Sequence, residues 1–225
     1  MKKKFLLSVL AFGMVMFGSI YTINAEDEST STDATIAFTG GDTSPTSPVD
    51  PDNPDTPGTN PGTNMEGPLS LDYVPALAFG THEITGNVAT YDLTDLKPYI
   101  QVTDKRGTGK GWKVSVSMTT FTNGDSSSSF SGVLSFKNPE VKTTTGNTST
   151  PPTASVATVT SGAGEQKLVG TNADNQGMGT WITRWYPTAS ATNNLNDAIQ
   201  LTVNTGNATT DSYTATVNWI ISNAP

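Results

Sequence analysis

The sequence predicts an all-β protein: a single antiparallel β-sandwich or barrel-like domain preceded by a disordered Pro/Asp-rich spacer. Three observations carry this expectation. Apolar and polar residues alternate in a series of short runs, the period of a strand with one face buried. Helical periodicity is nearly absent, Asn193–Asp197 being the one place for a helical turn. The connections are rich in Gly, Asn and Thr, which suits many short strands in one sandwich or barrel. Composition agrees: 34% hydrophobic and 14% charged residues are both low for a globular protein, and Ser, Thr, Asn and Gly fill the difference, as in extracellular β-proteins.

The chain of 225 residues opens on Lys2, Lys3 and Lys4, followed by an uncharged, mostly apolar run from Phe5 to Tyr21 and then Ile23-Asn24-Ala25. This is the pattern of a secretory signal peptide over 1–25, cleaved after Ala25. No second apolar span follows, so no membrane association is expected after cleavage. The end, Asn223-Ala224-Pro225, has no hydrophobic tail or sorting motif, and retention at a surface is expected to be non-covalent.

Residues 26–68 read as an acidic spacer, with nine acids and no Lys or Arg. Within it Ala34–Thr39 reads as a short strand closed by Gly40-Gly41. From Asp42 to Pro68 proline recurs at positions 45, 48, 51, 54, 57, 61 and 68. Each removes a backbone donor and biases the chain to polyproline II, so this stretch is expected to be a semi-rigid spacer reaching at most about 80 Å at ~3.1 Å per residue. Asp50, Asp52, Asn53 and Asp55 lack the glycine turn and distal Glu of a calcium loop, and read as solvated linker.

The folded body is expected over 69–225. Leu69, Leu71 and Tyr73 alternate with Ser70 and Asp72; Ile100 and Val102 with Gln101 and Thr103; Trp112, Val114, Val116 and Met118 with Lys113, Ser115 and Ser117. Ile199, Leu201 and Val203 form another such run, as do Tyr213, Ala215, Val217, Trp219 and Ile221. Phe130–Phe136, Ser155–Thr160 and Thr180–Trp185 are further strands, and Asn138–Pro152 is a long exposed loop.

Composition excludes much chemistry. With no cysteine there are no disulfides, thiolate zinc sites or thiol nucleophiles, and with one histidine, His82, there is no histidine metal cluster. Asp72, Glu83, Asp92, Asp95 and Asp104 are available carboxylates, but nothing in the sequence pairs them for glycoside hydrolysis. No phosphate loop or nucleophile elbow is present. The protein is expected not to be an enzyme and to need no cofactor or metal. The formal net charge is −8, and residues 69–225 hold eleven acids against nine bases. Nucleic acid is therefore a poor partner, since it requires a basic footprint.

Two groups of residues could bind something. Lys97, Lys105, Arg106, Lys110 and Lys113 lie close in sequence with Asp104 as the only acid among them. The segment Arg106-Gly107-Thr108-Gly109-Lys110-Gly111 reads as a mobile loop that would present cations together. They are either an anion-recognising patch for a phosphate- or carboxylate-bearing polymer or solvated charges with local pairs. The tryptophans pose a second choice. Trp112 and Trp219 are in phase with apolar faces and suit a core, whereas Trp181 and Trp185 are better placed for exposure.

Four ordered segments resemble a known family. These are Leu69-Ser70-Leu71-Asp72-Tyr73-Val74 with Phe79-Gly80; Pro98 to Gly107 followed by Gly111-Trp112-Lys113-Val114; Gly177-Met178-Gly179-Thr180-Trp181; and Tyr213 to Trp219, ending in Ile221-Ser222-Asn223-Ala224-Pro225. Together they resemble the WxL-domain cell-surface proteins of low-GC Gram-positive bacteria. The resemblance implies a domain held non-covalently on the cell wall through peptidoglycan, often within a complex of other surface proteins. It implies functional positions at Trp112 and Val114, and at Tyr213, Trp219, Ile221, Ala224 and Pro225. Val114 and Ile221 stand where the family has leucine, which preserves an apolar side chain but not leucine's shape. Two functions remain open: a module that binds wall peptidoglycan or an attached polymer, and one that docks onto another surface protein and reaches the wall indirectly. The basic loop suits the first, and an apolar terminal strand suits the second.

Overall fold

The computed structural model describes residues 29–223, so the signal segment and the terminal Ala224 and Pro225 lie outside the described residues. Residues 29–37 contain no strand and are exposed; from Phe38 onward the chain forms one compact unit. Ala34–Thr39 is not a strand within this structure, and Ile36 and Phe38 stand 80% and 87% exposed.

Named strands occur in four antiparallel sheets. The first has the order β1-β3-β12-β8, formed by Leu69–Tyr73, Tyr99–Asp104, Gly179–Arg184 and Glu140–Thr143. The second, β10-β7-β13-β2, is formed by Ala157–Thr160, Gly132–Phe136, Asn196–Asn204 and Val88–Leu93. The third, β15-β4-β11-β9, is formed by Val217–Asn223, Trp112–Met118, Gln166–Gly170 and Thr153–Ala154. A small fourth sheet joins β14 (Tyr213–Thr214), β5 (Phe121–Asn123) and β6 (Ser129–Phe130).

One core is shared by the three larger sheets. Leu71, Ile100, Val102 and Trp181 come from the first sheet, Leu134, Phe136, Val159 and Ile199 from the second, and Trp112, Val114, Val116, Leu168 and Val169 from the third. The alternation that marked the strands is what supplies these side chains. The Trp112–Met118 and Leu69–Tyr73 runs are strands with the expected boundaries.

Several elements differ from expectation. The long run from Tyr213 is broken at Ala215-Thr216. Tyr213 and Thr214 pair with β5, whereas Val217–Asn223 pairs with β4, so the chain crosses from one sheet to another. The segment Asn138–Pro152 contains a strand, β8, that pairs with β12. Asn193 and Asn194 both have positive φ, 59° and 54°, which makes a left-handed turn into β13 instead of a helical one. Within the described residues, the single short helical element is a 3₁₀ turn at Thr205–Asn207.

The proline-rich stretch 42–68 is the largest difference. It lies against the first sheet as a strap. Every residue of β3 is buried, although Tyr99, Gln101 and Thr103 alternate onto the face away from the core. The strap covers that face. Pro48 and Pro51 are buried, Val49 N donates to Gln101 Oε1 at 2.7 Å, Gln101 Nε2 donates to Ser47 O at 3.1 Å, and Tyr99 Oη donates to Val49 O at 3.1 Å. Proline forbids a regular ladder here, so the strap is tied by scattered backbone bonds, such as Thr63 N to Asp72 O at 2.8 Å, and by side chains reaching out from the sheet.

Candidate functional site

Trp112 and Val114 lie in the middle of the third sheet and are 0% exposed. The Trp112 indole Nε1 donates to Gly177 O at 2.8 Å. Gly177 has φ +72°, and a Cβ on it would lie 2.7 Å from that nitrogen, so the close approach requires glycine. The two positions hold strands together and reach no surface. Trp181 and Trp185, expected near the surface, are 3% and 0% exposed. Trp181 Nε1 is satisfied by Met178 O at 3.0 Å, and the Trp185 ring packs at 59° to Phe136 with centroids 5.3 Å apart. Both are buried and not exposed: Trp181 lies on β12, which is interior to the first sheet with β3 and β8 on either side, and Trp185 follows directly after that strand's end.

Trp219 and Ile221 are half-buried on β15. One edge of Trp219 meets Phe136 with ring centroids 5.9 Å apart, and the residue lines a shallow apolar groove with Met65, Leu71 and Val74.

The basic cluster is not a free patch. Lys105 Nζ pairs with Asp42 at 2.7 Å, Lys97 with Asp52 at 2.6 Å, and Lys110 with Asp174 at 3.3 Å. Arg106 pairs with Asp104 at 2.7 Å, and its guanidinium also donates to Gly111 O and Asn223 Oδ1. Lys113 is half-buried on β4 and makes no ion pair among the described residues. Two of the pairs, Lys105–Asp42 and Lys97–Asp52, bring an acid of the strap to a base of the body. Asp52 also meets Arg184 at 2.9 Å. A hydrogen bond from Lys97 holds the Asp52 carboxyl below its ordinary range, and one from Lys105 does the same for Asp42. These exposed pairs contribute little stability each, but they answer the cations with charge from the same chain.

Tyr213 leads to a different place. Its ring, with Phe121 and Phe130, forms an aromatic wall: Phe121 stacks on Phe130 with centroids 5.3 Å apart, and Phe130 meets Tyr213 at 4.8 Å. The Tyr213 hydroxyl is fixed by Thr209 N at 2.9 Å and by Ser128 Oγ at 2.9 Å. Its bonds with Ser128 and Thr209 lower its pKa. Opposite stands His82, whose ring stacks on Tyr91 at 3.9 Å and 17°, while its Nε2 is 2.5 Å from Phe79 O. Leu201 and Val203 of β13 help to line the space between.

The result is a cleft of about 540 Å³ that is lined by rings, hydroxyls from Thr81, Thr209 and Ser212, and two carboxylates, Glu83 and Asp211. No Lys or Arg lines it. Half-buried rings on two walls with hydroxyl and carboxylate acceptors at the rim can stack on the apolar faces of sugar rings and bond their hydroxyl and amide groups. The acidic rim disfavours a polyanion. Sequence reasoning found only Tyr213 here. His82 stood out only as the single histidine, and Tyr91 and Phe121 were not singled out. The spacing of aromatics in short, imperfectly alternating segments, Phe79-x-x-His82 and Phe121 to Phe130, was the available signal. Among the described residues, no group of three or more His, Asp or Glu is arranged to hold a metal, and no helix is long and apolar enough to cross a membrane.

A family model described as "WxL domain surface cell wall-binding" matches residues 25–225. No curated protein and no solved structure matches the chain.

Proposed function

Since the chain belongs to the family of WxL-domain surface cell wall-binding proteins, at work on the cell surface in association with the wall, we propose that it is secreted and binds peptidoglycan directly and non-covalently, without catalysis, with the glycan strand lying in the cleft between His82–Tyr91 and Phe121–Phe130–Tyr213. The observation that carries this reading is the cleft's lining: aromatic rings on both walls, and carboxylates without a single cation. Peptidoglycan glycan is a chain of N-acetylated sugars, uncharged where its lactyl groups carry peptide stems. It offers apolar sugar faces to the rings and hydroxyl and amide protons to Glu83 and Asp211. A phosphate-rich wall polymer would meet repulsion in the same place. His82, the only histidine, is engaged with Phe79 O and Tyr91, which supports a binding role for the cleft over an acid–base one.

The test is a titration of the purified chain with soluble glycan oligomers of N-acetylglucosamine and N-acetylmuramic acid whose lactyl carboxyls are capped as neutral amides, followed by NMR. The reading expects shifts at Tyr91, Phe130 and Tyr213, and roughly tenfold weaker binding for Tyr91→Ala from loss of one stacking platform. Shifts confined to Lys105–Lys113, or no binding to the glycan, would contradict it. Binding to intact walls only when other surface proteins are present would favour indirect retention.

A further inference from the structure

Each copy of the chain carries an unpaired strand-like segment and an open strand edge. Ala34–Thr39 alternates Ala34, Ile36 and Phe38 with Thr35, Ala37 and Thr39, has no charge, and is closed by Gly40-Gly41. It has the pattern of a strand with one apolar face, yet among the described residues it pairs with no strand, and Ile36 and Phe38 are 80% and 87% exposed. Among the described residues, β15 stands at the end of its sheet, paired with β4 alone over seven residues. Beside it lies a groove of about 490 Å³ in which Met65, Leu71, Val74 and Trp219 supply the apolar surface. Like the segment, the groove has no titratable side chain. An exposed edge with apolar surface beside it is a template for an added strand, and added strands gain affinity from the main chain and register from alternate side chains.

We infer that Ala34–Thr39 of one copy adds to the β15 edge of a second copy, placing Ile36 and Phe38 in the groove bounded by Leu71, Val74 and Trp219. The fit is of pattern and of charge: a six-residue alternating segment without charge for a seven-residue edge without charge. Donor and acceptor are different surfaces of the same molecule, so the contact is heterologous, and each added copy offers a fresh edge. Reciprocal exchange between two copies closes a dimer, and one-way addition chains copies onward. This inference does not depend on the glycan cleft, which involves other residues.

Sedimentation velocity of the purified full chain tests it. The weight-average mass is expected to rise with concentration above that of the monomer, and Phe38→Asp is expected to return it to the monomer. Because Phe38 is exposed, its replacement leaves the fold intact, which the melting temperature verifies. The chain has no native cysteine, so a mixture of Ala37→Cys and Asn218→Cys chains is expected to yield a disulfide-linked pair that neither gives alone in comparable amount. A chain that stays monomeric into the millimolar range, or a Phe38→Asp variant that associates as strongly as the parent, would overturn the inference. So would a doubly substituted Ala37→Cys, Asn218→Cys chain that closes its disulfide within one copy however far it is diluted.

Discussion

Gln101 donates from Nε2 to Asp72 Oδ2 across 2.9 Å, with the two residues 0% and 2% exposed. The same amide nitrogen donates to Ser47 O, and the amide oxygen receives Val49 N–H. Thr103 Oγ1 and Ser70 Oγ also donate to Asp72, at 2.6 Å and 2.5 Å. One glutamine thus joins two strands of the first sheet to the proline-rich strap. Replacing Gln101 by Leu leaves Val49 N–H, Ser47 O and part of Asp72 unpaired. The expected cost is about 1–3 kcal/mol for such unpaired buried groups, and the strap is expected to become sensitive to proteolysis before the body does. Limited digestion with mass analysis of the fragments, beside a denaturant melt, checks both.

Trp112 and Trp185 are equally buried but differently bonded. Trp112 Nε1 donates to Gly177 O, whereas Trp185 Nε1 is buried without a hydrogen-bond partner. Trp112→Phe removes a hydrogen bond and strands a carbonyl; Trp185→Phe removes only volume and a nitrogen that bonds nothing. Trp112→Phe is expected to be the more destabilising by about 1–3 kcal/mol. Equilibrium unfolding of the two variants measures the difference.

Arg106 is the structural member of the basic cluster. Its partner Asp104 has a side chain 1% exposed, and the Arg106 side chain is 13% exposed. Arg106→Gln leaves a buried carboxylate without its counter-charge and is expected to cost about 3–5 kcal/mol. Lys105→Gln with Lys110→Gln disturbs only surface pairs and is expected to change stability by less than ~1 kcal/mol and wall retention not at all. Pelleting of the double variant with purified walls over a range of salt checks the second half. Retention that weakens and loses its salt sensitivity would restore the loop as a polymer contact.

The strap is expected to loosen in acid. Asp42, Asp52 and Asp55 are each held below the ordinary aspartate range, by hydrogen bonds from Lys105, Lys97 and Thr145 respectively. A carboxyl with a depressed folded pKa stabilises the fold above its ordinary value and loses that contribution as pH falls through the depressed one, so these three ties fail below about pH 4. Asp72 acts in the opposite sense: burial raises its pKa, so it takes up its proton earlier in the fold than in the unfolded chain, and acid favours its folded form. Hydrogen exchange should therefore show protection lost at Val49 and Gly58 while β3 amides remain protected.

The strands were legible where alternation was clean, as in Trp112–Met118, because one face met the core and the other met less demanding surroundings. Legibility failed where a third layer intervened. Gln101 and Thr103 read as solvent-facing because polar side chains alternate with Ile100 and Val102, and no local pattern announces that a proline-rich segment lies over them. The strap itself read as a spacer because several of its ties to the sheet run from backbone to side chain across some fifty residues of sequence, as in Val49 to Gln101. For the proposed binding surface, the resemblance directed attention to the motif tryptophan Trp112, which packs inside, whereas the cleft is assembled from His82, Tyr91, Phe121 and Phe130 on short segments that only the fold brings together.

In the proposed attachment the wall is held directly, by an uncharged glycan in the aromatic cleft. Sedimentation of the purified chain with walls stripped of protein and of anionic polymer, comparing the parent with a Tyr91→Ala, Phe130→Ala variant shown to be folded, tests it most directly. The parent is expected to pellet and the variant to stay largely in solution. Parent and variant pelleting alike, or the parent failing to pellet, would contradict it.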